Sequence, residues 1–422
     1  MMKPLVTLFS LLVLTACATV NSDLGLDFSS ADGFDDERLA RIDTAINAEI
    51  ADGNIAGAVA LIARDGDVVY HKSFGYADIE SGKPMQTDSI FRIASMTKAI
   101  TSVAVMILYE RGYFQLNDPV SDFIPAFANP RVAVSYDENG AVTETRAAER
   151  EIRIIDLLSH SSGISYPFID QPLQRSYKAA GVIDGLTAKN IKLADGMRSL
   201  AGQPLLFDPG SRFAYGLSTD LLGYLVEVVS GKPLDQFFQD EVFTPLGMDD
   251  THFYLPASKA DRLVTLYAFV DELKVSDGTE ADIKLDNPRY PAEGAKAYFS
   301  GGAGLSSTAL DYSRFVTMLL NEGELDGRQV LSRKSVELMR TPRIDWDADG
   351  KADFGLGFRV ITDIGASGEL GTDGAYAWGG AYNTSYWIDP AERLVGVFMS
   401  QSRPTETDIT DRYQTLVYQA LE

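Results

Sequence analysis

The stretch Ser95-Met96-Thr97-Lys98 begins a run of mostly apolar residues that continues to Arg111 and stops at Gly112. This pattern predicts a helix over Ser95–Arg111 that is buried on nearly every side. Residues i and i+3 lie on one face of a helix, so the Ser95 hydroxyl can meet the Lys98 amine. The first turn of a helix also leaves backbone N–H groups free, and these favour a developing negative charge. The stretch therefore predicts a serine nucleophile with a lysine beside it.

An ordinary structural role for the same stretch remains open at this point, because S-x-x-K also occurs by chance. In that case Ser95 caps the helix and Lys98 is an exposed lysine. The apolar surroundings argue against exposure of Lys98, since a helix this apolar is buried. A buried amine tends to lose its proton and can then act as a base.

Two later segments carry further candidate residues. Tyr215 lies near a loop tip, after the Pro209-Gly210 turn and just before a predicted helix. The second segment, Tyr376–Asn383, has glycines inside a strand-like pattern, which marks a bulge or close backbone approach. An exposed strand N–H there can serve as an oxyanion donor. The alternatives are a surface or core tyrosine in the first segment and a tight turn in the second.

Coarse periodicity predicts strands at both ends of the chain and a helix-rich middle. A helix is expected over Asp35–Asp52, followed by a hairpin around Asp65-Gly66. Further predicted elements are helices at Leu217–Val229, Leu234–Val242, Ala309–Asn321, Ser332–Met339 and Thr407–Leu421, and strands at Tyr382–Ile388 and Leu394–Ser400. This order predicts an α+β domain interrupted by a helical insertion.

Taken in chain order, Ser95, Tyr215 and Trp378 resemble the serine β-lactamase and penicillin-binding-protein superfamily. Four further stretches match sequence segments typical of that superfamily: Phe91–Ala94, Asp156–Gly163, Pro245–Met248 and Gly302–Ser307. The resemblance covers roughly residues 36–420. It implies a β-lactamase/transpeptidase-like fold, an antiparallel sheet flanked by helices plus a mainly helical insertion. We expect the α/β part from roughly 34–115 and 295–422, and the helical part from roughly 116–294.

The departures from the superfamily pattern bear on the substrate. Leu217 stands where the lactamase branches have an Asn, and Trp378-Gly379-Gly380 stands where they have Lys-Thr-Gly. The missing amide and cation each imply the loss of a hydrogen bond worth about 1.5–3 kcal/mol in a buried setting. An indole in that place favours neutral, apolar acyl groups. The combination resembles the family VIII carboxylesterases, the class C β-lactamase-like esterases.

This resemblance implies that Ser95 attacks an ester carbonyl and that Tyr215 or Lys98 takes its proton. It also implies an oxyanion hole formed by the backbone N–H groups of Ser95 and Ala381. Substrate-binding positions are Trp378, Gly379, Gly380 and Leu217. No metal or organic cofactor is expected.

Two other functions stay open. The first is a weak β-lactamase or D-amino-acid peptidase acting on cell-wall peptide, for which Arg403 is a candidate carboxylate anchor. The second is an envelope binding module that kept the fold, and the intact Ser95, Lys98 and Tyr215 argue against it. Lactonase and acyltransferase variants are not excluded by the sequence.

Two remaining features favour structural interpretations. His160 reads as structural, because the sequence has no G-x-S-x-G nucleophile elbow that would need a histidine base. Asp345, Asp347 and Asp349 match the first half of a calcium loop, but Leu356 occupies the position of the closing Glu. An acidic surface turn is therefore expected there.

The N-terminus predicts export. A basic start and an apolar run over residues 1–16 describe a signal peptide, and Leu14-Thr15-Ala16-Cys17 resembles the bacterial lipobox. We expect cleavage before Cys17 and a lipid on its thiol, with residues 17–33 as a flexible tether and 34–422 as the hydrolase domain. Membrane contact is then through the lipid, in the cell envelope. Ala18 weakly favours the periplasmic side of the outer membrane.

Composition sets outer limits on these interpretations. The 422 residues carry 37 basic and 60 acidic side chains, a formal net charge of −23. Such a chain repels polyanions, so nucleic acid is not an expected partner. One cysteine excludes an intrachain disulfide, and three scattered histidines argue against a His/Cys zinc site.

Overall fold

The computed structural model describes residues 33–169, 171–278, 287–346 and 349–422. The predicted signal peptide, Cys17 and nearly all of the predicted tether lie outside the described residues. Within them, a nine-stranded antiparallel sheet is the largest element.

Helices flank the sheet and fill the middle of the chain. The α-helices are α1 Asp36–Ala51, α2 Thr97–Glu110, α3 Ile154–Leu158, α4 Gln171–Ala179, α5 Leu193–Ala201, α6 Ser218–Ser230, α7 Leu234–Phe238, α8 Thr244–Leu246, α9 Ala309–Leu320, α10 Arg333–Met339, α11 Ile364–Ser367 and α12 Ile409–Tyr418. Short 3-10 turns lie at Ala94–Met96, Val120–Asp122, Pro125–Phe127 and Ala257–Arg262, and a π turn at Gln239–Phe243 joins α7 to α8.

The strands come mainly from the two ends of the described chain. They are β1 Gly57–Arg64, β2 Asp67–Asp78, β3 Lys83–Pro84, β4 Phe91–Arg92, β5 Arg131–Tyr136, β6 Val142–Ala147, β7 Tyr267–Phe269, β8 Leu273–Val275, β9 Ser306–Ser307, β10 Glu324–Leu325, β11 Arg328–Gln329, β12 Ile344–Asp345, β13 Ala352–Phe354, β14 Arg359–Ile361, β15 Tyr376–Gly380, β16 Thr384–Asp389 and β17 Leu394–Met399. The large sheet has the order β12-β13-β14-β15-β16-β17-β1-β2-β3. The C-terminal strand β17 thus pairs with β1, in the register Val59↔Met399.

Each face of the sheet is covered by a different layer. Helices α1 and α12 pack together against one face, over Trp387 and Phe398. On the other face α9 packs against β1, β16 and β17. The main core continues from there into α2 and α6, and α2 is buried along almost its whole length. The predicted α+β architecture with a helical insertion is confirmed.

Two local differences from the sequence prediction have physical reasons. The strand expected from Tyr382 begins at Thr384, because Asn383 has a left-handed φ of +64° and turns the chain. The middle of the chain also contains the β5–β6 hairpin, which was not predicted. Most residues of that hairpin are exposed or half-buried, so it has no strong apolar pattern.

Candidate active site

Ser95 lies in the 3-10 turn that leads into α2, as the predicted helix start requires. The preceding residue, Ala94, has a φ of +40°, a conformation that non-glycine residues rarely adopt. A backbone hydrogen bond supports this turn: the Ile93 N–H donates to the Leu305 carbonyl at 3.0 Å. The arrangement presents a half-buried Ser95 at the first turn of a helix, where backbone N–H groups lack helical acceptors.

Lys98 lies beneath Ser95 and is 2% exposed. Its Nζ donates to Ser95 Oγ at 3.2 Å, to Tyr166 OH at 3.1 Å and to the Gly302 carbonyl at 2.8 Å. These three contacts fix the position of the nitrogen atom. The predicted Ser95–Lys98 contact is therefore present, and the lysine side chain is fixed on all sides.

Sequence reasoning missed Tyr166 as a partner of Lys98. It follows the predicted structural segment Asp156–Gly163 by three residues, and nothing in its local pattern marks it. Only the fold brings it to Lys98, 68 positions away in sequence. Its phenol is fully buried, and burial raises the pKa of Tyr166 well above its ordinary value.

A second buried group, Asp220 on α6, lies behind this centre. Ser300 Oγ donates to Asp220 Oδ1 at 2.6 Å. Burial raises the pKa of Asp220, while the charge of Lys98 acts in the opposite direction. A side chain at Gly302 would collide with the Asp220 carboxyl, so glycine is required for the carbonyl at this position to reach Lys98.

Tyr215 is half-buried and lies on the cleft side of Lys98. Lys98 Nζ is 4.6 Å from the centroid of the Tyr215 ring. The Trp378 Nε1–H donates to Tyr215 OH at 3.4 Å. The structure thus brings together Ser95, Lys98, Tyr215 and Trp378, which are far apart in sequence.

Strand β15 forms one wall of the cleft. It pairs with β16 over its whole length, but its pairing with β14 ends at Arg359↔Ala377. In the part of the chain that the structure describes, Trp378–Gly380 is therefore paired on one side only. A Cβ at Gly380 would collide with the Ile93 carbonyl and with Thr384 Oγ1, so glycine permits this strand to approach the Ser95 turn. Ala381 follows directly and packs with Ala94 in a small apolar cluster.

The cleft has a volume of about 720 Å³. Of the predicted site residues, it is lined by Ser95, Tyr215, Trp378, Gly379, Gly380, Ala381 and Arg403. Leu217 does not line it. That side chain is 0% exposed and packs in the main core at the start of α6, so the prediction that it contacts substrate is wrong.

Charged groups also line this cleft. Asp184 is one of them, and burial raises its pKa to about 7, with the negative charge of Asp220 adding to the effect. Arg359 and Arg403 lie on the wall formed by the sheet and the loop after β17. Arg403 Nη1 donates to the Ala381 carbonyl at 3.2 Å. Sequence reasoning missed Asp184 and Arg359, which lack a motif around them.

His160 is 1% exposed and its ring centroid lies 4.9 Å from that of Tyr215. The Gly216 N–H approaches its Nδ1 at 3.4 Å. Burial lowers the pKa of His160 well below its ordinary value of 6.5, and the charge of Lys98 adds to this. The ring supports Tyr215 by packing, in keeping with the structural interpretation.

The acidic turn after β12 is only partly described, because Asp347 lies outside the described residues. Asp345 ends β12, and Asp349 pairs with Lys351 at 3.0 Å. The described residues contain no group of three or more His, Cys, Asp or Glu side chains placed to bind a metal ion. Among these residues there is also no helix with the length and apolar character needed to cross a membrane.

Comparison with known proteins agrees with this geometry. The Beta-lactamase family model matches residues 42–420. A Mycobacterium tuberculosis relative, Protein Rv1367c, is 36% identical over 374 residues, which are 84% of this chain and 88% of the relative. Esterase EstB of Burkholderia gladioli is 31% identical over 366 residues, 83% of this chain and 87% of EstB.

A solved structure also matches this chain over most of its length. EstCE1, described as a hydrolase with promiscuous acyltransferase activity, superposes with a TM-score of 0.79 at 31% identity. The match covers 91% of this chain and 98% of EstCE1. The chain therefore belongs to the β-lactamase family, on the branch that contains esterases.

Proposed function

We propose that this protein is a serine hydrolase that cleaves neutral carboxylic esters through an acyl-enzyme on Ser95. One observation carries the proposal: Ser95 Oγ lies 3.2 Å from the buried Lys98 amine, in a cleft whose wall holds an indole instead of a lysine. Similarity to EstB and EstCE1 supports the ester as the substrate class.

In the proposed mechanism Lys98 takes the proton of Ser95 as Oγ attacks the ester carbonyl. The tetrahedral oxyanion is held by the backbone N–H groups of Ser95 and Ala381. Tyr215, whose ring lies against the Lys98 amine, gives a proton to the departing alcohol, and the proton taken from Ser95 replaces it. Water then attacks the acyl-enzyme by the reverse path and releases the acid.

The pocket chemistry supports a neutral acyl or alcohol group. Trp378 packs edge-on against Trp346 at 5.1 Å and against Phe354 at 5.2 Å, measured between ring centroids. Such an aromatic surface favours apolar groups of the substrate. The test is turnover of p-nitrophenyl butyrate and nitrocefin by the purified full chain, with Ser95→Ala as control.

We expect fast ester turnover, little nitrocefin cleavage and an inactive Ser95→Ala. A butyryl group found by mass spectrometry on the peptide with Ser95 would support the acyl-enzyme. Ester hydrolysis that survives in Ser95→Ala would overturn the nucleophile assignment.

A second candidate, a weak β-lactamase or D-amino-acid peptidase, is favoured by one observation. Arg359 and Arg403 both line the cleft, and either guanidinium can pair with a substrate carboxylate. Nitrocefin cleavage as efficient as ester cleavage, lost in Arg403→Gln, would move this candidate to first place.

We also propose that the chain is exported and carries lipid on Cys17, which would hold it in the cell envelope. The lipobox-like Leu14–Cys17 supports this. Metabolic labelling with palmitate in a bacterial host tests it. Because Cys17 is the only cysteine, label that persists in Cys17→Ala would contradict the proposal.

A further inference from the structure

Asp184 is a cleft carboxyl that the proposed mechanism does not use. It lies in the segment between α4 and α5 and lines the same cavity as Ser95. Its neighbour Gly185 packs near Tyr166, since a Cβ there would lie 4.0 Å from the Tyr166 ring. Tyr166 in turn contacts Lys98, so Asp184 stands close to the reacting centre.

One oxygen of this carboxyl, Oδ1, is buried and has no hydrogen-bond partner among the described residues. The Lys98 amine is held by Ser95, Tyr166 and Gly302 and does not contact Asp184. A buried carboxylate without a partner is costly, and a cation supplied by a ligand removes that cost.

The groups around Asp184 affect how readily its carboxyl ionises. Asp220 repels it and Lys178 attracts it, while the phenols of Tyr166 and Tyr298 also face it. The two cleft arginines, Arg359 and Arg403, belong to the wall built by the sheet and the following loop. The lining of the cleft therefore carries both carboxyl and guanidinium groups.

We propose that Asp184 is a specificity residue that binds a positively charged ammonium group on the substrate, so that cationic esters are preferred over their neutral counterparts. The inference rests on the proposed ester hydrolysis: neutral esters remain substrates, and an ammonium group on either side of the ester adds to their binding. The negative charge of the whole chain, −23, adds to the attraction of cations toward the cleft.

Two pairs of isosteric esters test the proposal with the purified full chain. The first pair is butyrylcholine and the ester in which carbon replaces its quaternary nitrogen. The second pair is a p-nitrophenyl ester whose acyl chain ends in trimethylammonium, and its carbon isostere. Together they place the charge on either side of the ester bond. We expect kcat/KM to favour the cationic member of at least one pair by about tenfold or more.

Asp184→Asn should abolish that preference while it keeps turnover of the neutral members. Asp411→Asn is the matched control, because Asp411 is a carboxyl on α12 that lines the same cavity. We expect the preference to remain in that variant. A preference that survives in Asp184→Asn would overturn the inference.

The pH dependence of the wild-type preference is a second readout that needs no variant. Because the pKa of Asp184 is raised to about 7, the carboxylate form gains population as pH rises through 7. The preference for the cationic member should therefore grow between pH 6 and pH 8. Equal rates for both members of each pair at every pH would overturn this inference but leave the proposed function standing. Absence of Ser95-dependent turnover on all four esters would instead overturn the proposed function.

Discussion

The floor and the wall of the cleft differ in how completely their polar groups are bonded. The floor, Ser95 with Lys98, Tyr166 and Gly302, is a closed network in which the lysine has three acceptors. The wall, Trp378–Ala381 with the adjoining start of β16, leaves side-chain polar atoms of Asn383, Thr384 and Ser385 without partners among the described residues. Buried polar groups are normally satisfied, so these atoms are available to bound water or to a ligand.

The floor and the wall therefore have different roles in the proposed function. In the proposed mechanism the floor carries the chemical step, and the wall meets the variable portion of the substrate. The wall also departs most from the superfamily pattern. Changes in the floor should therefore lower turnover, whereas changes in the wall should redistribute preference.

The largest expected effect comes from breaking the floor at Lys98. Lys98→Met keeps an unbranched side chain of similar length but removes the amine. We expect kcat/KM for p-nitrophenyl butyrate to fall by about a thousandfold or more, because the serine loses its base. Lys334→Met, on the exposed surface of α10, is the control. Activity within tenfold of the wild type in Lys98→Met would show that the floor is not the catalytic centre.

Tyr215 lies between the floor and the wall, and removing its hydroxyl should lower activity somewhat less than removing the Lys98 amine. Tyr215→Phe keeps the packing against His160 and Trp378 but removes the hydroxyl that accepts from Trp378 Nε1. A loss of about a hundredfold in kcat is expected, since proton delivery to the leaving alcohol is removed. Tyr113→Phe, at an exposed tyrosine, serves as the comparison. Unchanged kcat in Tyr215→Phe would remove Tyr215 from the mechanism.

Two adjacent glycines sharpen the contrast within the wall. Gly380→Ala places a methyl group against the Ile93 carbonyl and Thr384 Oγ1, whereas the same change at Gly379 meets only the Thr384 carbonyl, at 3.2 Å. Gly380→Ala should destabilise the protein by about 1–3 kcal/mol and lower ester turnover about tenfold. Urea unfolding and kcat/KM, measured on both variants, check this. Equal effects from both changes would mean that β15 does not press on the Ser95 turn.

The smallest expected effect concerns His160, which supports the floor without reacting. Its pKa is lowered by burial, so below pH 6.5 the unfolded chain takes up a proton that the folded chain refuses. Folding stability should therefore fall as pH drops, by at most about 1.4 kcal/mol per pH unit from this group. His160→Asn suits the left-handed φ of +52° and should reduce that dependence.

The measurement is the urea midpoint of both proteins at pH 7 and pH 5. His71 and His252, whose pKa values burial lowers to about 4, are present in both proteins and cancel in the comparison. Ester turnover within tenfold of the wild type in His160→Asn would agree with a packing role. A loss as large as that of Lys98→Met would contradict it.

The same floor and wall show how far the sequence alone can predict this site. Ser95 and Lys98 were predictable because helical spacing places them together, and the order of Tyr215 and Trp378 carried the family resemblance. Tyr166 and Asp184 were not predictable, since only long-range packing brings them to the cleft. Leu217 was wrongly assigned because a motif position specifies place in the chain, whereas the direction of a side chain depends on the core around α6.

The placement of the tryptophans has a spectroscopic consequence. The chain has three, of which Trp346 and Trp378 contact each other in the aromatic wall, whereas Trp387 is buried under α1 and α12. A large part of its tryptophan emission therefore arises from the wall of the cleft. Filling the cleft should change the emission wavelength and the access of a soluble quencher such as acrylamide, without any attached dye. Tryptophan fluorescence can therefore report binding in the cleft. Titration of a non-hydrolysable ester analogue into Ser95→Ala can be followed by this signal.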